Sequence, residues 1–229
     1  MTTAAAHQVG HEVEARARQS KGISDEPIYQ MVVQALHQHD QGGGVLVDVG
    51  CGSGQLWRHV GDRYSRYVGV DAACYKDLPT EVEFHRVDLD TGGIPLPDEC
   101  ADVVVSVETI EHLENPRAFM RELVRLAKPR GWIVVTTPNQ LSLLSLLTLT
   151  IKKRFSAFQD VHYPAHLTAL LEIDLKRIAG ECGLMDVQIK YSVQGRLVLT
   201  PWHYPRALAR VLPRALSDNL LLLGRKQDD

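Results

Sequence analysis

A short apolar run ends in Asp48 and is followed by three closely spaced glycines, Gly50, Gly52 and Gly54, in the segment VLVDVGCGSGQ at residues 45–55. Glycine has no Cβ, so a turn of this kind can bring backbone N–H groups into contact with a ligand. The first N–H groups of a following helix would add to such a site. The segment therefore predicts a site for a nucleotide-like cofactor; the alternative is a tight turn without a ligand.

A second acidic residue follows at the distance expected for a group that binds ribose. The apolar run at residues 67–70 ends in Asp71, about 20 residues beyond the glycine turn, as in dinucleotide-binding folds. A carboxylate at this place accepts hydrogen bonds from both ribose hydroxyls. A solvated turn residue is the weaker interpretation, because Asp71 comes directly after an apolar strand.

Two classes of cofactor compete for this site. The dinucleotide motif G-x-G-x-x-G needs a third glycine where this chain has Gln55. Asp48 would be unfavourable beside a pyrophosphate but suits a cofactor with positive charge. S-adenosylmethionine carries a sulfonium and an ammonium group and no phosphate, so the charges favour it. A nicotinamide-dependent oxidoreductase and a non-catalytic cofactor-binding protein are the alternatives.

Strand and helix patterns alternate along the chain. Apolar runs lie at residues 45–49, 67–70, 82–87, 101–107 and 131–137, with two late runs at 187–191 and 220–223. Helical spacing is found at 12–40, 116–127 and 167–182. This order predicts an α/β fold with a doubly wound, mostly parallel sheet. The length of 229 residues suits a single domain over residues 1–229.

The overall composition is ordinary for a globular protein. The net charge is −3, so nucleic acid is not expected as the main partner. Four scattered cysteines without a C-x-x-C pair argue against a disulfide framework and fit a reducing compartment. We find neither a signal-peptide pattern nor an apolar run long enough to span a membrane, and we expect a cytoplasmic protein.

Five segments in order carry a family resemblance: VDVGCGSGQ, VGVDAA, RVDLD, ADVVVSVETIEHLENP and GWIVVTTPN. Together they resemble the class I S-adenosylmethionine-dependent methyltransferases, in particular the small-molecule (type 11) group with ubiquinone and menaquinone biosynthesis enzymes. The resemblance implies a Rossmann-like sheet of seven strands, with an antiparallel last strand inserted between the fifth and the sixth. It also implies a cofactor-binding core at 45–139, and acceptor-side cap elements at about 139–170 and 192–216.

The resemblance assigns cofactor-binding roles by position. The methionine part would lie against Asp48, Gly50, Cys51, Gly52 and Glu108; the ribose on Asp71; and the adenine beside Ala72, Asp88 and Leu89. For Asp88, a polar loop residue after the third strand is the alternative. Cys51 is expected only as a small side chain that fits, with no nucleophilic role.

Three histidines are candidates for a catalytic base. His112 follows the fourth strand, at the carboxyl edge where open α/β sheets bind ligands. His162 and His166 lie beyond the fifth strand. A base is needed where the acceptor is a hydroxyl or phenol, and oxygen is the expected acceptor atom. Caps or packing residues are the alternative; Pro164 disfavours a helical His–His metal pair, so no metal is expected.

Residues 141–151 are mostly leucine, with Ser142, Ser145 and Thr148 at every third position. A helix that is apolar nearly all round must be covered by something. We expect a packing helix or a lid over the acceptor pocket. Peripheral contact with a membrane beside residues 152–154 (KKR) is the alternative, and it would suit a lipid-like or lipid-linked small-molecule acceptor.

Overall fold

A computed structural model describes residues 10–20, 22–91, 93–198 and 200–228. Within them, seven strands form one sheet: β1 Val45–Val49, β2 Arg66–Asp71, β3 Glu83–Arg86, β4 Ala101–Ser106, β5 Ala127–Pro138, β6 Leu184–Tyr191 and β7 Asn219–Lys226. The α-helices are α1 His11–Gln19, α2 Glu26–His39, α3 Gln55–Val60, α4 Pro116–Leu126, α5 Leu143–Lys152, α6 Glu172–Glu181 and α7 Arg206–Val211. Short 3₁₀ turns lie at Gly61–Arg63, Ile110–His112 and Asp160–His162.

The strand order β3-β2-β1-β4-β5-β7-β6 confirms the predicted fold class. Strands β1 to β5 pair in parallel, whereas β7 pairs antiparallel with both β5 and β6. The residues at 220–223 are leucines that are almost fully buried. A strand that lies inside a sheet with both faces covered reads as such a continuous apolar run. The last strand is therefore inserted between the fifth and the sixth, as the resemblance implied.

Helices cover both faces of the sheet. Alternate residues of one strand serve opposite faces: Val47 and Val49 pack in the cluster that contains α4 and α6, whereas Leu46 packs in the cluster that contains α2 and α3. Helix α4 begins as the sequence predicts, because the side chain of Asn115 accepts a hydrogen bond from the N–H of Ala118. These two cores hold the carboxyl ends of the central strands in place.

The single helix predicted over residues 12–40 is interrupted, and two helices take its place. Helix α1 ends at Gln19 and α2 begins at Glu26. Between them Gly22 adopts a φ of +61°, a left-handed conformation that breaks a helix. Its carbonyl oxygen accepts a hydrogen bond from the N–H of Ser53 in the glycine turn. The break thus lets residues 22–25 lie across that turn.

The helix predicted over residues 167–182 is shorter, because α6 begins only at Glu172. The N–H groups of Leu167 and Thr168 donate instead to the carbonyl oxygen of Glu111, at 2.9 and 3.0 Å. Residues 165–168 therefore run beside the loop that follows β4, and they bring a later part of the chain to the predicted site.

Helix α5 buries Ser145 and its cap Ser142 and exposes several leucines, while Leu144 and Leu149 are half-buried. Ser142 and Ser145 are buried, whereas Leu146 and Leu147 are exposed and Ile151 is 74% exposed. The Ser145 hydroxyl accepts a hydrogen bond from the N–H of Ser156. The helix therefore packs through part of its surface, and an apolar face that contains Leu146 and Leu147 is left open. Among the described residues no helix is both long and apolar enough to cross a bilayer.

Candidate functional site

A cavity of about 580 Å³ opens at the carboxyl edge of β1, β2 and β4, the edge at which open α/β sheets bind ligands. Its size is typical of a cofactor site. The lining comes from the loops after these strands, from α1 and the start of α2, and from residues 156–166 and 194–219. Residues 141–152, all of which the structure describes, contribute nothing to this lining, so α5 is not a lid over the cavity.

Every backbone N–H of the glycine turn, residues 50–54, donates to an acceptor within the protein. The acceptors are the carbonyl oxygen of Val70 for residues 50 and 51, the carboxylate of Asp71 for residue 52, and the carbonyl oxygens of Gly22 and Cys51 for residues 53 and 54. A phosphate-binding turn needs its N–H groups free for the ligand. The N–H groups of this turn are therefore not available to bind a pyrophosphate, and a ligand would contact the surface of the turn instead.

Two glycines of the turn are required by close contacts. Gly50 has a φ of +83° and Gly52 a φ of +53°, both in the left-handed region that favours glycine. A Cβ at Gly50 would collide with the side chain of Thr109, and one at Gly52 with the carbonyl group of Gly22. The turn is thus pressed between the loop after β4 and the segment that joins α1 to α2.

Asp71 is buried at the end of β2, and both of its carboxylate oxygens accept backbone hydrogen bonds. Oδ2 accepts from the N–H of Gly52 and Oδ1 from the N–H of Ala73, each at 2.9 Å. Burial raises the pKa of this carboxyl above its usual value, and the backbone donors oppose that shift. Each oxygen keeps a further lone pair that can accept a ribose hydroxyl.

Asp48 lies inside β1 and is almost fully buried. Its Oδ2 accepts a hydrogen bond of 2.7 Å from the hydroxyl of Tyr67, and its Oδ1 has no partner among the described residues. Burial raises the pKa of Asp48 to about 7. A positively charged ligand in the cavity would stabilise the ionised form.

The adenine-side candidates Ala72, Asp88 and Leu89 also line the cavity, as does the buried Cys51. Asp88 caps its own loop: Oδ1 accepts from the N–H of Asp90 at 3.0 Å and Oδ2 from the hydroxyl of Thr91 at 2.7 Å. These contacts give Asp88 a role within the loop in addition to its place in the lining. Burial raises the pKa of the Cys51 thiol, which keeps it protonated and unreactive.

Two glutamates follow β4, with carboxyl oxygens that lack partners. Glu108 accepts a hydrogen bond of 2.8 Å from the side chain of Asn219 at Oε2, and Glu111 one of 3.2 Å from Thr137 at Oε2. The Oε1 atoms of both residues are buried without a partner in the described part of the chain. Burial raises the pKa of Glu111 to about 8; burial and then repulsion from Glu111 raise the pKa of Glu108.

The three histidines predicted from the sequence come together at one end of the cavity. The ring centroids of His112 and His166 are 4.7 Å apart, and those of His162 and His166 are 5.2 Å apart. Burial is the main cause that lowers the pKa of each, to about 4 for His166. His112 and His166 are therefore neutral near pH 7, with lone pairs available for a proton or a ligand.

The hydrogen bonds of His112 and His162 differ in a way that matters for chemistry. His112 Nδ1 lies 2.8 Å from the carbonyl oxygen of Ala165, so Nδ1 is the protonated nitrogen and Nε2 carries the lone pair. His162 Nδ1 instead accepts from the N–H of Gln159 at 3.2 Å, which leaves the proton on Nε2. His112 is thus the better placed to accept a proton within the cavity.

A family model described as "Methyltransferase domain" matches residues 25–189. This chain belongs to that family. A protein of Mycolicibacterium smegmatis described as a probable S-adenosylmethionine-dependent methyltransferase is 33% identical over 117 residues, which cover 50% of this chain and 45% of the relative. The ubiquinone biosynthesis O-methyltransferase of Leptothrix cholodnii is 27% identical over 129 residues, 50% of this chain and 54% of the relative.

The methyltransferase domain spans about half the length of these curated relatives. Among solved structures, the complex between the Haloferax volcanii Trm112 methyltransferase activator and a methyltransferase contains a chain that aligns with a TM-score of 0.65 and 19% identity. That alignment covers 96% of this chain and 98% of the other, and it shows the fold alone. The resemblance to the S-adenosylmethionine-dependent methyltransferases is confirmed.

The cavity of the methyltransferase domain fits S-adenosylmethionine. The N–H groups of the turn already donate within the protein and cannot bind a phosphate, and S-adenosylmethionine contains no phosphate. The buried, unpartnered Oδ1 of Asp48 matches a cofactor with positive charge, and the fixed carboxylate of Asp71 matches a ribose. Burial in a site of low dielectric strengthens such a charge interaction.

Several residues that line the cavity of the domain were not predicted from the sequence. Glu111 stands next to His112 in the segment EHLENP, yet only its burial marks it as part of the site. Tyr29 at α2, His203 in the connection before α7 and Asn219 at the start of β7 also line the cavity. They come from distant parts of the chain, and no spacing in the sequence joins them to the glycine turn.

Proposed function

We propose that this chain transfers a methyl group from S-adenosylmethionine to an oxygen atom of a small-molecule acceptor. The observation that carries the proposal is the position of His112, whose Nε2 lone pair belongs to the same cavity as Asp71 and the glycine turn. One cavity thus combines a site for the methyl donor with a group that can take a proton from a hydroxyl.

The cofactor supplies an electrophilic methyl carbon on its sulfonium group. The chain positions the donor: Asp71 and the turn hold its ribose side, and Asp48 and Glu108 place carboxyl oxygens beside its methionine part. Alignment of the acceptor with the methyl carbon accounts for most of the rate in a displacement of this kind. A hydroxyl acceptor must also lose its proton, and this is the role proposed for the cluster that contains His112.

The nicotinamide alternative is disfavoured by the glycine turn. A pyrophosphate would need N–H groups that already donate to Val70, Asp71 and Gly22. The cofactor-binding protein without turnover remains the second hypothesis, and the acceptor screen below tests it.

We further propose that the acceptor is lipid-like and that the protein reaches it at an anionic membrane surface. Support comes from the α5–α7 surface, which we define by its exposed apolar residues on α5 and at α7: Leu143, Leu146, Leu147, Ile151, Leu208, Val211 and Leu212. The chain just after α7 adjoins the start of α5, since the N–H of Leu143 donates to the carbonyl oxygen of Ala215 at 2.8 Å. Exposed apolar surface of this extent marks an interaction site.

The charges beside the α5–α7 surface suit an anionic bilayer. Lys152 and Lys153 at the end of α5 and Arg206 and Arg210 on α7 form no salt bridge among the described residues, whereas Arg154, Arg196 and Arg214 pair with Asp160, Asp218 and Glu172. A basic segment beside an apolar face is typical of helices that lie in a membrane interface. We place the reaction at the cytoplasmic face of such a membrane, which agrees with four free cysteines.

Two experiments test the function. Thermal unfolding with S-adenosylhomocysteine should show stabilisation that NADH and NADPH do not give; the opposite result would exclude the methyl donor proposed here. A screen of quinols, sugars and lipid-linked alcohols with methyl-labelled cofactor should then label an oxygen atom. Label found only on nitrogen or carbon would refute the proposal that the methyl group is transferred to oxygen. If no acceptor is labelled although the cofactor binds tightly, the non-catalytic alternative is favoured.

A further inference from the structure

Glu111, His112 and His166 form a cluster of donor atoms at the acceptor end of the cavity. Each offers one ligand atom, and these atoms all lie within 4.8 Å of one another. Glu111 Oε1 and His166 Nδ1 are buried and lack a hydrogen-bond partner in the described residues. Unsatisfied buried polar atoms are rare in proteins and call for an explanation such as a bound ion.

Neighbouring groups already orient two of these side chains. The carbonyl oxygen of Ala165 accepts from His112 Nδ1 at 2.8 Å, and the hydroxyl of Thr137 donates to Glu111 Oε2 at 3.2 Å. A carbonyl behind one ring nitrogen fixes the tautomer that leaves the other nitrogen free, which is the usual support of a metal-binding histidine. The free atoms that result are His112 Nε2 and Glu111 Oε1.

We infer that Glu111, His112 and His166 bind one divalent first-row transition metal ion, of the type of Zn²⁺ or Mn²⁺. Two imidazole nitrogens and one carboxylate oxygen are a donor set that such ions accept, with further coordination positions left open. All three residues line the cavity, so an open position can face the acceptor. The buried Oε1 of Glu108, which lines the same cavity, also lacks a hydrogen-bond partner among the described residues.

The inferred metal site differs from the expectation from the sequence, which predicted no metal. That expectation rested on Pro164 between His162 and His166. The structure makes a different set, in which His166 joins two residues from the loop after β4. His162 stacks on His166 but uses its Nδ1 to accept from Gln159, so it is not one of the three ligands.

A bound ion would alter how the acceptor is activated, a consequence that rests on the proposed function. Coordination lowers the pKa of a bound hydroxyl, so the acceptor oxygen would be held deprotonated, with its proton released to water instead of to a histidine. His112 and His166 would then hold the ion instead of taking the proton. Metal dependence of the reaction distinguishes these two roles.

Metal binding can be measured directly on the full chain, without cofactor or acceptor. Protein treated with a chelator is titrated with ZnCl₂ and MnCl₂ by calorimetry, and Co²⁺ is added as a spectroscopic probe. We expect one ion per chain. His166→Ala and Glu111→Gln should weaken the affinity by about tenfold to a hundredfold or more, the range known for loss of supporting groups alone. His162→Ala is the matched control and should bind as the wild type does.

Absence of binding to the wild type would overturn the inference, and so would unchanged affinity in His166→Ala. An equal loss in His162→Ala would show that the ligands are a different set. Thermal stabilisation by S-adenosylhomocysteine reports whether each variant is folded. If Glu111→Gln is not folded, the metal affinities of His166→Ala and His112→Asn test the inference. A protein that methylates oxygen but binds no ion refutes the metal site alone, whereas a bound ion without an oxygen acceptor refutes the function alone.

Discussion

The carboxylate of Asp71 accepts a hydrogen bond of 2.9 Å from the backbone N–H of Gly52. The same side chain also accepts from the N–H of Ala73 at 2.9 Å. One carboxylate thus ties the end of β2 to the glycine turn after β1 and still has lone pairs for a ligand. The shape of the turn and the proposed ribose contact depend on the same residue.

Replacement of Asp71 by Ala should therefore abolish detectable cofactor binding. The variant loses the proposed ribose contacts and releases the N–H of Gly52, whose donor then lacks its partner. Calorimetric titration with S-adenosylhomocysteine measures the effect. Asp77→Ala is the control, since Asp77 is exposed in the following segment. Binding that survives in Asp71→Ala with little change would remove Asp71 from the site.

Gly52→Ala should lower both the stability and the cofactor affinity. A left-handed conformation costs a residue with a Cβ roughly 1–2 kcal/mol, and at this position the Cβ would also displace Gly22. Gly43→Ala separates the two effects, because Gly43 has a φ of +87° but nothing within 4 Å of an added Cβ. Denaturant unfolding should show a larger loss for Gly52→Ala; equal losses would mean that the contact with Gly22 does not matter.

Asp48 should make the stability of the cofactor-free protein depend on pH. Burial raises its pKa from 3.8 to about 7, so the folded chain retains a proton that the unfolded chain has lost. Stability from this group is complete below about pH 4 and falls as the pH rises towards 7. Asp48→Asn should remove that slope from denaturant unfolding curves measured at several pH values.

The same carboxyl should affect the cofactor in the opposite sense. Ionised Asp48 attracts a positively charged ligand, so affinity for S-adenosylmethionine should increase as the pH rises through about 7. In Asp48→Asn this increase should be absent. Parallel pH profiles for the wild type and the variant would show that Asp48 does not contact the charged part of the cofactor.

His112→Ala should reduce methyl transfer by about 10²–10⁴-fold, with cofactor affinity nearly unchanged. The reason is that His112 lies at the acceptor end and has a free Nε2. His162→Ala should have a smaller effect, because its Nδ1 already accepts from the N–H of Gln159. Turnover with the acceptor found in the screen, and cofactor titration, give the two numbers. A larger loss in His162→Ala would reverse these roles.

Vesicle co-sedimentation tests the α5–α7 surface. Binding is expected with vesicles that contain phosphatidylglycerol and not with pure phosphatidylcholine, and it should weaken at high salt. The double variant Leu147→Gln/Ile151→Gln should lose most of it, because both side chains are exposed. Ile173→Gln is the control, an exposed apolar residue on α6. Equal sedimentation of both variants, or binding independent of lipid charge, would contradict membrane contact through this surface.

Local features of the chain predicted most of the fold. The apolar runs before Asp48 and Asp71 became β1 and β2, and Asn115 and Pro116 mark the start of α4. These signals are short-range, since strand alternation, caps and glycine turns depend on neighbouring residues. The break at Gly22 and the late start of α6 at Glu172 were not predicted, because both segments make hydrogen bonds with residues that are far away in the sequence.

Residue types and spacing alone determined the family, the sheet and the methyl donor, because a glycine turn flanked by acidic residues works through neighbours in sequence. Only the tertiary structure decided which residues lie in the part of the cavity proposed to bind the methyl acceptor. It joined Glu111 and His112 after β4 to His166, and it turned Ser145 inward and Leu147 outward on α5. Burial and contacts between segments far apart in the chain set these relationships, and no local pattern encodes them.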